Sequence, residues 1–571
     1  MIPVIISSDK TQLTLFRNKA AYPVYITIGN LPKAVRSRPS QGGQILLGYL
    51  PTSKLEHITN KSKRRRVQAN LFHQCMRKIL EPLVDAGLDG INMTSGDGAT
   101  RRCHPIYAAY VADYPEQVLV TCVKSGDCIV CIRRRHELGT PTLNTPKEPP
   151  AHSGDIPRFE TATRDLSSIL DVLATADDVS ATDYTRACHN VGIRPVYQPF
   201  WEHLPYADIY ASITPDILHQ LLQGVVKHLF AWVKSAYSED EINARCRRLP
   251  PNHNVRLFFN GVTKLSRLTG REHADICRIL LGIIIDMPLS TGDSPVRIIR
   301  SVRAILDFVY LAQYPLHSTQ SLQAMEDALQ RFHDNKKVFV DLGIRQDFNF
   351  PKLHFTEHYR HLIETFGTTD NFNTEYTERL HIDLAKEAYR ATNHKEEYVQ
   401  MTLWLERKEK VLQHDRYVKW CQAGRPSWHV INSLHVNHSS HIQMTREPSV
   451  KAVPFYSLVD DYGAQDFAIR LAEYIVGFND SSGILSRAQI RRLAENVRLP
   501  FNKVPVYHKA KFWEADFPRY RHASDEFDVV HSTPARQDKR GNVVPGRFDT
   551  ALLNDGSGGA VGVQGMLNFS S

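Results

Sequence analysis

The stretch that most constrains this chain is residues 349–395, NFPKLHFTEHYRHLIETFGTTDNFNTEYTERLHIDLAKEAYRATNHK, where a histidine pair precedes a helix with an acid in an unusual place. From Glu375 to Arg390 there is no Gly or Pro, and Asn373 or Thr374 can accept hydrogen bonds from the first free amides, so a helix is predicted to begin there. Wound at about 100° per residue, it puts Arg379, Asp383, Lys386, Glu387 and Arg390 on one arc. Leu380, Ile382, Leu384, Ala385, Ala388 and Tyr389 fall on the other, and Glu375 lies at the edge of the polar arc. Glu378 shares a stripe with Ile382, Ala385 and Tyr389, the side predicted to face protein. A carboxylate turned toward a core is costly unless it is paired or bound to metal. For Glu378 alone, a buried acid bonded to Arg or Tyr is the simpler reading; the rest of the chain is what raises the metal one.

At 571 residues the chain is too long for one core, and about three or four units are expected. Apolar content of 42% and charged content of 23% are ordinary for globular protein and exclude wholesale disorder. The formal charge is +9, with basic runs at Lys61, Lys63, Arg64, Arg65 and Arg66, at Arg133, Arg134 and Arg135, and at Arg245, Arg247 and Arg248. Such runs suit a polyanion such as DNA, although each alone is more often a solvated surface or a localisation signal. No apolar stretch reaches the roughly 18 residues of a membrane span, and the start MIPVIISSDK lacks a basic leader and a small-residue cleavage site. A soluble intracellular protein without a membrane partner is the expectation. Nine cysteines are scattered, and only Cys128 and Cys131 stand in a C-x-x-C pair. That odd count points to a reducing compartment, with the pair read as metal ligands or as ordinary thiols.

Taken in order, Ile2 to Ser7 is a continuous apolar run that predicts a buried strand delivering Asp9 at its carboxyl end. Tyr22 to Ile28 and Gln44 to Leu50 predict two more strands, and a helix is expected from about Ala69 to Ala86. A further strand from His104 to Ala112 ends on Asp113, so two strands each deliver an aspartate within a mixed α/β core. Residues 139–160 are rich in Pro, Thr and Gly, which marks a linker, and helical patterns then dominate from Ser167 to Leu342. In this block Asp216 and His219 lie one turn apart; a capping Asp and a surface His are the plain reading. His354 and His358 are four apart on one side of a predicted helix, and with Cys128 and Cys131 they could complete a Cys₂His₂ zinc site. His361 and His136 remain alternatives. Beyond Gln413 the pattern changes to short β-like runs with helices at Asp466 to Gly477 and in SRAQIRRLAENVRL, and the last Gly-rich residues are expected to fray.

Asp9, Asp113 and Glu378, separated by a helical block, match the order of a DDE transposase built on an RNase H-like core. The segments IISSDKTQLT, ADYPEQVLVTCVKSGDCIVC, ITPDILHQLLQGVVKHL and TEYTERLHIDLAKEAYRATNHK resemble Plavaka transposases of the Kyakuja, Dileera and Zisupton group. That group is similar to CACTA elements and, more remotely, to the larger subunit of the V(D)J recombinase. The resemblance runs from residue 1 to about residue 412, with the remainder resembling the tail of the same family. It implies an α/β RNase H-like core with a mixed sheet, interrupted by a large all-helical insertion and followed by a C-terminal α+β accessory region. The expected divisions are a first core part at 1–138, a linker at 139–166, the insertion at 167–345, the return of the core at 346–412 and the accessory region at 413–571.

Carried over by position, the resemblance makes Asp9, Asp113 and Glu378 the catalytic acids and ligands of two Mg²⁺ or Mn²⁺ ions, with Asp216 and His219 as a D-x-x-H word in the insertion. It makes Cys128, Cys131, His354 and His358 the ligands of a structural Zn²⁺. His358 stands twenty before Glu378, as in the relatives, but the spacing H-x-x-x-H departs from their H-x-x-x-x-H and leaves His361 in play. Three carboxylates holding two ions roughly 3.5 to 4 Å apart serve in-line displacement at phosphorus. Water would nick the element end, and the freed 3′-hydroxyl would attack target DNA. The implied partner is double-stranded DNA, held by Lys61, Lys63, Arg64, Arg65, Arg66, Arg133, Arg134 and Arg135; a homodimer is compatible, and the nucleus is the implied compartment. Such transposases usually carry a DNA-binding region before the first catalytic strand, so an end-recognition module is expected to be missing from this sequence. The competing readings are an inactive transposase-derived DNA-binding or scaffold protein, and an RNase H-like nuclease that cuts without joining.

Overall fold

The computed structural model describes residues 1–14, 19–39, 42–95, 98–141, 163–250, 252, 255–266, 268–425, 441–445, 447–479, 485–513, 528–537, 541, 543–548, 551–554 and 566–569. The chain divides into two units, one of Met1–Ala244 with Val262–Ser433 and one of Arg245–Gly261 with Leu434–Ser571.

The first unit is built on a four-stranded sheet of β1 (Ile2–Ser8), β2 (Pro23–Ile28), β3 (Ile45–Tyr49) and β4 (Pro105–Val111). Its order is β3-β2-β1-β4. The pairs β1–β2 and β2–β3 are antiparallel, whereas β1–β4 is parallel. Val4, Ile6, Val24, Tyr25, Tyr107 and Ala109 are buried in these strands, which is why they read as nearly unbroken apolar runs rather than alternating ones. Ser7 pairs with Val111 across the parallel ladder. Asp9 and Asp113 each stand two residues beyond that pair, so strand register brings both acids out at the same edge of the sheet.

Helix α1 (Lys61–Leu80) starts earlier than the expected Ala69, because Asn60 caps it by accepting from the Lys63 amide. The chain then restarts in a short helix, Pro82–Asp89. Helix α2 (Tyr114–Val120) follows β4 at once, with Asp113 as its cap and a Pro in its first turn.

Most of the expected linker, residues 142–162, lies outside the described residues. Helices Leu166–Ala174 and Ala181–Asn190 open the helical block. The block is not continuous, however: the chain between Asn190 and Asp216 holds no helix, and Ile213 forms a parallel bridge to Tyr110 of β4. Helix α3 (Ile217–Val226) is π-wound and passes directly into Lys227–Ala236. Beyond it run Gly270–Ile284, Val296–Ala312 and Thr319–Asn335, amphipathic helices that each bury one apolar face, with Leu280, Ile305 and Phe332 among the enclosed residues.

The return segment holds Pro351–His354, a 3₁₀ turn at Phe355–His358, Tyr359–Phe366, and helix α4 (Thr374–His381). Past α4 the winding widens to a π-helix at Ile382–Lys386. The change of pattern expected beyond Gln413 falls inside a 26-residue helix, Glu397–Gln422. Its Glu, Lys, Arg and Gln residues favour helix, and no Gly or Pro interrupts it before Gly424.

In the second unit, Val450–Pro454 pairs antiparallel with Lys503–Val506 around helices Phe455–Tyr462, Phe467–Asn479 and Arg487–Ala494. The last two helices fall where the sequence expects them. Residues 555–565 of the Gly-rich tail lie outside the described residues. Among the described residues no helix is long and apolar enough to cross a membrane.

Candidate active site and metal centre

Helix α4 is capped by Asn373, whose side chain accepts from the Glu375 amide at 3.0 Å. One residue on, Thr374 donates its hydroxyl to Asp216 Oδ1 at 2.6 Å. Asp216 in turn caps α3, accepting from the Leu218 and His219 amides at 3.1 and 2.8 Å. His219 Nδ1 lies 3.0 Å from Asp216 Oδ2, and its Nε2 lies 2.9 Å from Glu378 Oε1. The imidazole is thus held between two carboxylates. Burial works against its positive charge, but the hydrogen bonds to Asp216 and Glu378 prevail and push its pKa up to about 10. His219 therefore carries a proton at neutral pH. It is neither a surface histidine nor merely a neighbour of a helix cap.

Asp9 and Asp113 belong to the same electrostatic cluster. Burial, and then the charges of Asp113 and Glu378, raise Asp9 from 3.8 to about 6, with His219 opposing. Asp113 is raised chiefly by burial and by the charge of Asp216, while the Glu116 amide, His219 and Lys352 hold it down. Lys352, from the helix Pro351–His354, donates its ammonium to the His219 carbonyl at 2.7 Å.

Glu378 departs from expectation in one respect: its side chain is 42% exposed, not turned into a core. Ile382, on the same stripe, is 41% exposed. The core-facing arc of α4 runs instead through Thr374, Thr377, Leu380 and His381. The π-wound turn after His381 then shifts the phase, so that Ala385, Ala388 and Tyr389 are buried while Ile382 is not.

The second cluster is dry. Cys128, Cys131, His354 and His358 are all buried, and their four donor atoms lie within 4.8 Å of one another. Cys128 Sγ is 3.3 Å from His358 Nε2, and Cys131 Sγ is 3.2 Å from His354 Nε2. The two histidines do not share one α-helix: the winding tightens to 3₁₀ at Phe355, between them. Hydrogen bonds from Cys128 and then from the two histidines depress the Cys131 thiol, whereas burial drives Cys128 upward. Two thiols and two imidazoles at such separations form the donor set of a tetrahedral zinc site, and an ion would neutralise the thiolates. His361 and His136, the alternatives, are exposed.

Behind His354 sits a carboxylate. Glu357, 1% exposed, lies 3.7 Å from His354 Nδ1 and 3.9 Å from His333 Nε2. Lys336 Nζ lies 2.8 Å from the other nitrogen of His333. The carboxylate beside His354 is the arrangement that orients metal-bound histidines.

Residues 1–233 match the family model described as Plavaka transposase. Over that span the chain is similar to the Plavaka transposase family. No curated protein matches it. The matched span holds Asp9, Asp113, the cysteine pair, Asp216 and His219, while the two histidines and Glu378 lie beyond it.

Two residues in the carboxylate site are not evident from spacing. Lys352 offers no sequence signal except its place two residues before His354. Glu116, fully enclosed beside Asp9 and Asp113, follows Asp113 at the D-x-x-E spacing of a capping box, a signal that reads as helix capping alone.

The basic runs fare differently. Lys61, Lys63, Arg64, Arg65 and Arg66 occupy the first two turns of α1, the first of them where cations oppose the helix dipole, and all but the half-buried Arg64 are exposed. Arg133 is engaged with the Glu137 and Thr140 carbonyls. Arg134 is tied to the Asn190 carbonyl at 2.9 Å and to Asp127 at 3.7 Å. Arg135 is exposed. Arg245, Arg247 and Arg248 lie in the last turn of Glu239–Arg248, where cations suit the dipole.

Proposed function

We propose that this chain is a DDE-type DNA transposase with an RNase H-like core, catalysing phosphodiester cleavage and strand transfer at transposon ends. The observation that carries the reading is the convergence on Asp9: its carboxyl feels the charges of Asp113, His219 and Glu378, groups drawn from two strand ends, the helical block and α4. Three carboxylates at the edge of a mixed sheet suit an RNase H-like arrangement, and the β3-β2-β1-β4 order with a single parallel pair is consistent with it.

Asp9, Asp113 and Glu378 would hold two Mg²⁺ or Mn²⁺ ions, and their donor chemistry fits: hard oxygens, partly buried, with burial raising both Asp9 and Asp113 and the charges of Asp113 and Glu378 raising Asp9 further. Bound there, the ions would activate the attacking oxygen and neutralise charge on the leaving 3′-oxygen. His219 keeps a proton between Asp216 and Glu378, fixing the Glu378 carboxylate and offering a cation toward the scissile phosphate. Asp216 orients the imidazole, as Thr374 orients Asp216. Cys128, Cys131, His354 and His358 would hold a structural zinc that pins the return segment, and with it Lys352, beside the first strands. Lys61, Lys63, Arg64, Arg65 and Arg66 would track the DNA backbone, with Arg135 and the remaining free donors of Arg133 and Arg134 as further contacts. A chain acting on chromosomal DNA works in the nucleus.

The test is to supply the purified full chain with DNA bearing the ends of its own element, target DNA and Mg²⁺ or Mn²⁺. Joined products are the expected result. Cuts without joining would make it a nuclease, and retention without cutting would make it a DNA-binding protein that has lost the chemistry.

A further inference from the structure

Beneath the two aspartates lies a carboxylate that the mechanism above does not use. Glu116 is only 9% exposed. Its Oε1 accepts from the Ser8 hydroxyl, and Tyr22 donates to Oε1 at 2.6 Å and to Oε2 at 2.5 Å. The Ser8 hydroxyl also lies 2.6 Å from that of Tyr110 in β4. Through its backbone, Glu116 donates its amide to Asp113 Oδ1 at 3.0 Å.

These partners come from every element that frames the acids. Ser8 closes β1 and immediately precedes Asp9. Tyr22 leads into β2, whose Val24 pairs with Ser8. Tyr110 belongs to β4, and Asp113 caps the helix on which Glu116 itself rides. In a capping box the third-position Glu reaches back to the amide of the cap residue. Here the side chain turns inward instead and gathers two hydroxyls. An acid buried at this depth is unfavourable without such partners, and an apolar residue would fill the space at less cost. Retaining it makes sense where the distance between β1 and α2 must be held fixed.

We propose that Glu116 is a positioning residue, a buried tether that sets the separation of Asp9 and Asp113. This rests on the reading of those aspartates as ligands of divalent cations. Groups that support metal ligands typically change metal affinity by roughly 10–100-fold when removed.

The experiment titrates Mn²⁺ into the full zinc-loaded chain, following free Mn²⁺ by electron paramagnetic resonance, for wild type, Glu116→Ala, Glu116→Gln and Tyr22→Phe. Glu116→Ala is expected to weaken Mn²⁺ binding at least tenfold with zinc content unchanged, and the isosteric Glu116→Gln to restore affinity close to wild type. Tyr22→Phe removes one tether without opening a cavity; a smaller weakening is expected, and this variant decides the matter should Glu116→Ala not fold. Wild-type affinity in both Glu116→Ala and Tyr22→Phe overturns the inference, as does a failure of Glu116→Gln to restore binding. A wild type that takes up no Mn²⁺ is a distinguishable outcome: it overturns the carboxylate site itself, and this inference with it.

Discussion

Nε2 of His219 lies 2.9 Å from Oε1 of Glu378, so a residue of the helical block and the acid of α4 share one proton-mediated contact. Because Nδ1 is already committed to Asp216, the ring cannot turn away without losing both carboxylates. If this charged imidazole serves the chemistry, His219→Ala should lower DNA cleavage by about 10²-fold or more while leaving DNA retention in place. Single-turnover assays with retention measured in parallel check this; cleavage at the wild-type rate would remove His219 from the site.

Asp9→Ala, Asp113→Ala and Glu378→Ala are each expected to abolish cleavage, with DNA still bound. A variant that cuts normally takes its residue out of the proposed site.

Asp9 also gives a pH signature. In the folded chain it takes up its proton at about 6 against 3.8 when exposed, so this uptake favours the fold below about pH 4 and the contribution is lost as pH rises through 6. Asp9→Asn cannot ionise and keeps the advantage. With metal chelated, it should be more stable than wild type by about 1–2 kcal/mol above pH 6, after allowing for partial solvent exposure. The gain should vanish near pH 4. Denaturant unfolding across that range is the check, and a variant less stable than wild type at pH 7 would contradict the assignment.

The zinc cluster is testable without any activity. One equivalent of zinc is expected in purified protein, lost on Cys128→Ser. Glu357→Gln should retain zinc but release it to a chromogenic chelator roughly 10–100-fold faster, since the carboxylate behind His354 supports the ligand. Less than one equivalent in wild type would refute the site.

Replacing Lys61, Lys63, Arg65 and Arg66 by Gln should act in opposite directions on two observables. DNA binding should weaken and its salt dependence flatten by about 0.9 per lost phosphate contact. The free protein should gain about 0.3 kcal/mol or more for each of Lys61 and Lys63, because cations in the first turn of a helix oppose its dipole. Unchanged salt dependence would leave the run as a solvated surface.

Much of this was legible in the residues. The apolar runs ending on Asp9 and Asp113 are strands because strands covered on both faces need apolar side chains on both, and a pattern that strong survives tertiary packing. The cysteine pair was legible through ligand spacing, whereas His354 and His358 were singled out among many histidines only by the family resemblance, which left His361 in play. The side-chain tethers were not: Glu116 and Lys352 are joined to Ser8, Tyr22 and the His219 carbonyl across distant sequence, by hydrogen bonds that no local period encodes, while Glu357 stands one turn from His354 with nothing in the pattern to single it out. Glu378 was found on the right helix but assigned the wrong environment, because fixed 100° winding cannot foresee a π-turn or a partner such as His219 from another element. The start of α1 was hidden for a related reason, since its first two turns are nearly all cationic and its apolar face begins only near Ala69.

The account depends most on Asp9, Asp113 and Glu378 acting together as a cation site. The direct measurement is anomalous X-ray scattering from crystals of the chain soaked in Mn²⁺. Two manganese peaks among these three carboxylates, absent in Glu378→Gln, are the expected result; no peak there in the wild-type protein would contradict the proposed chemistry.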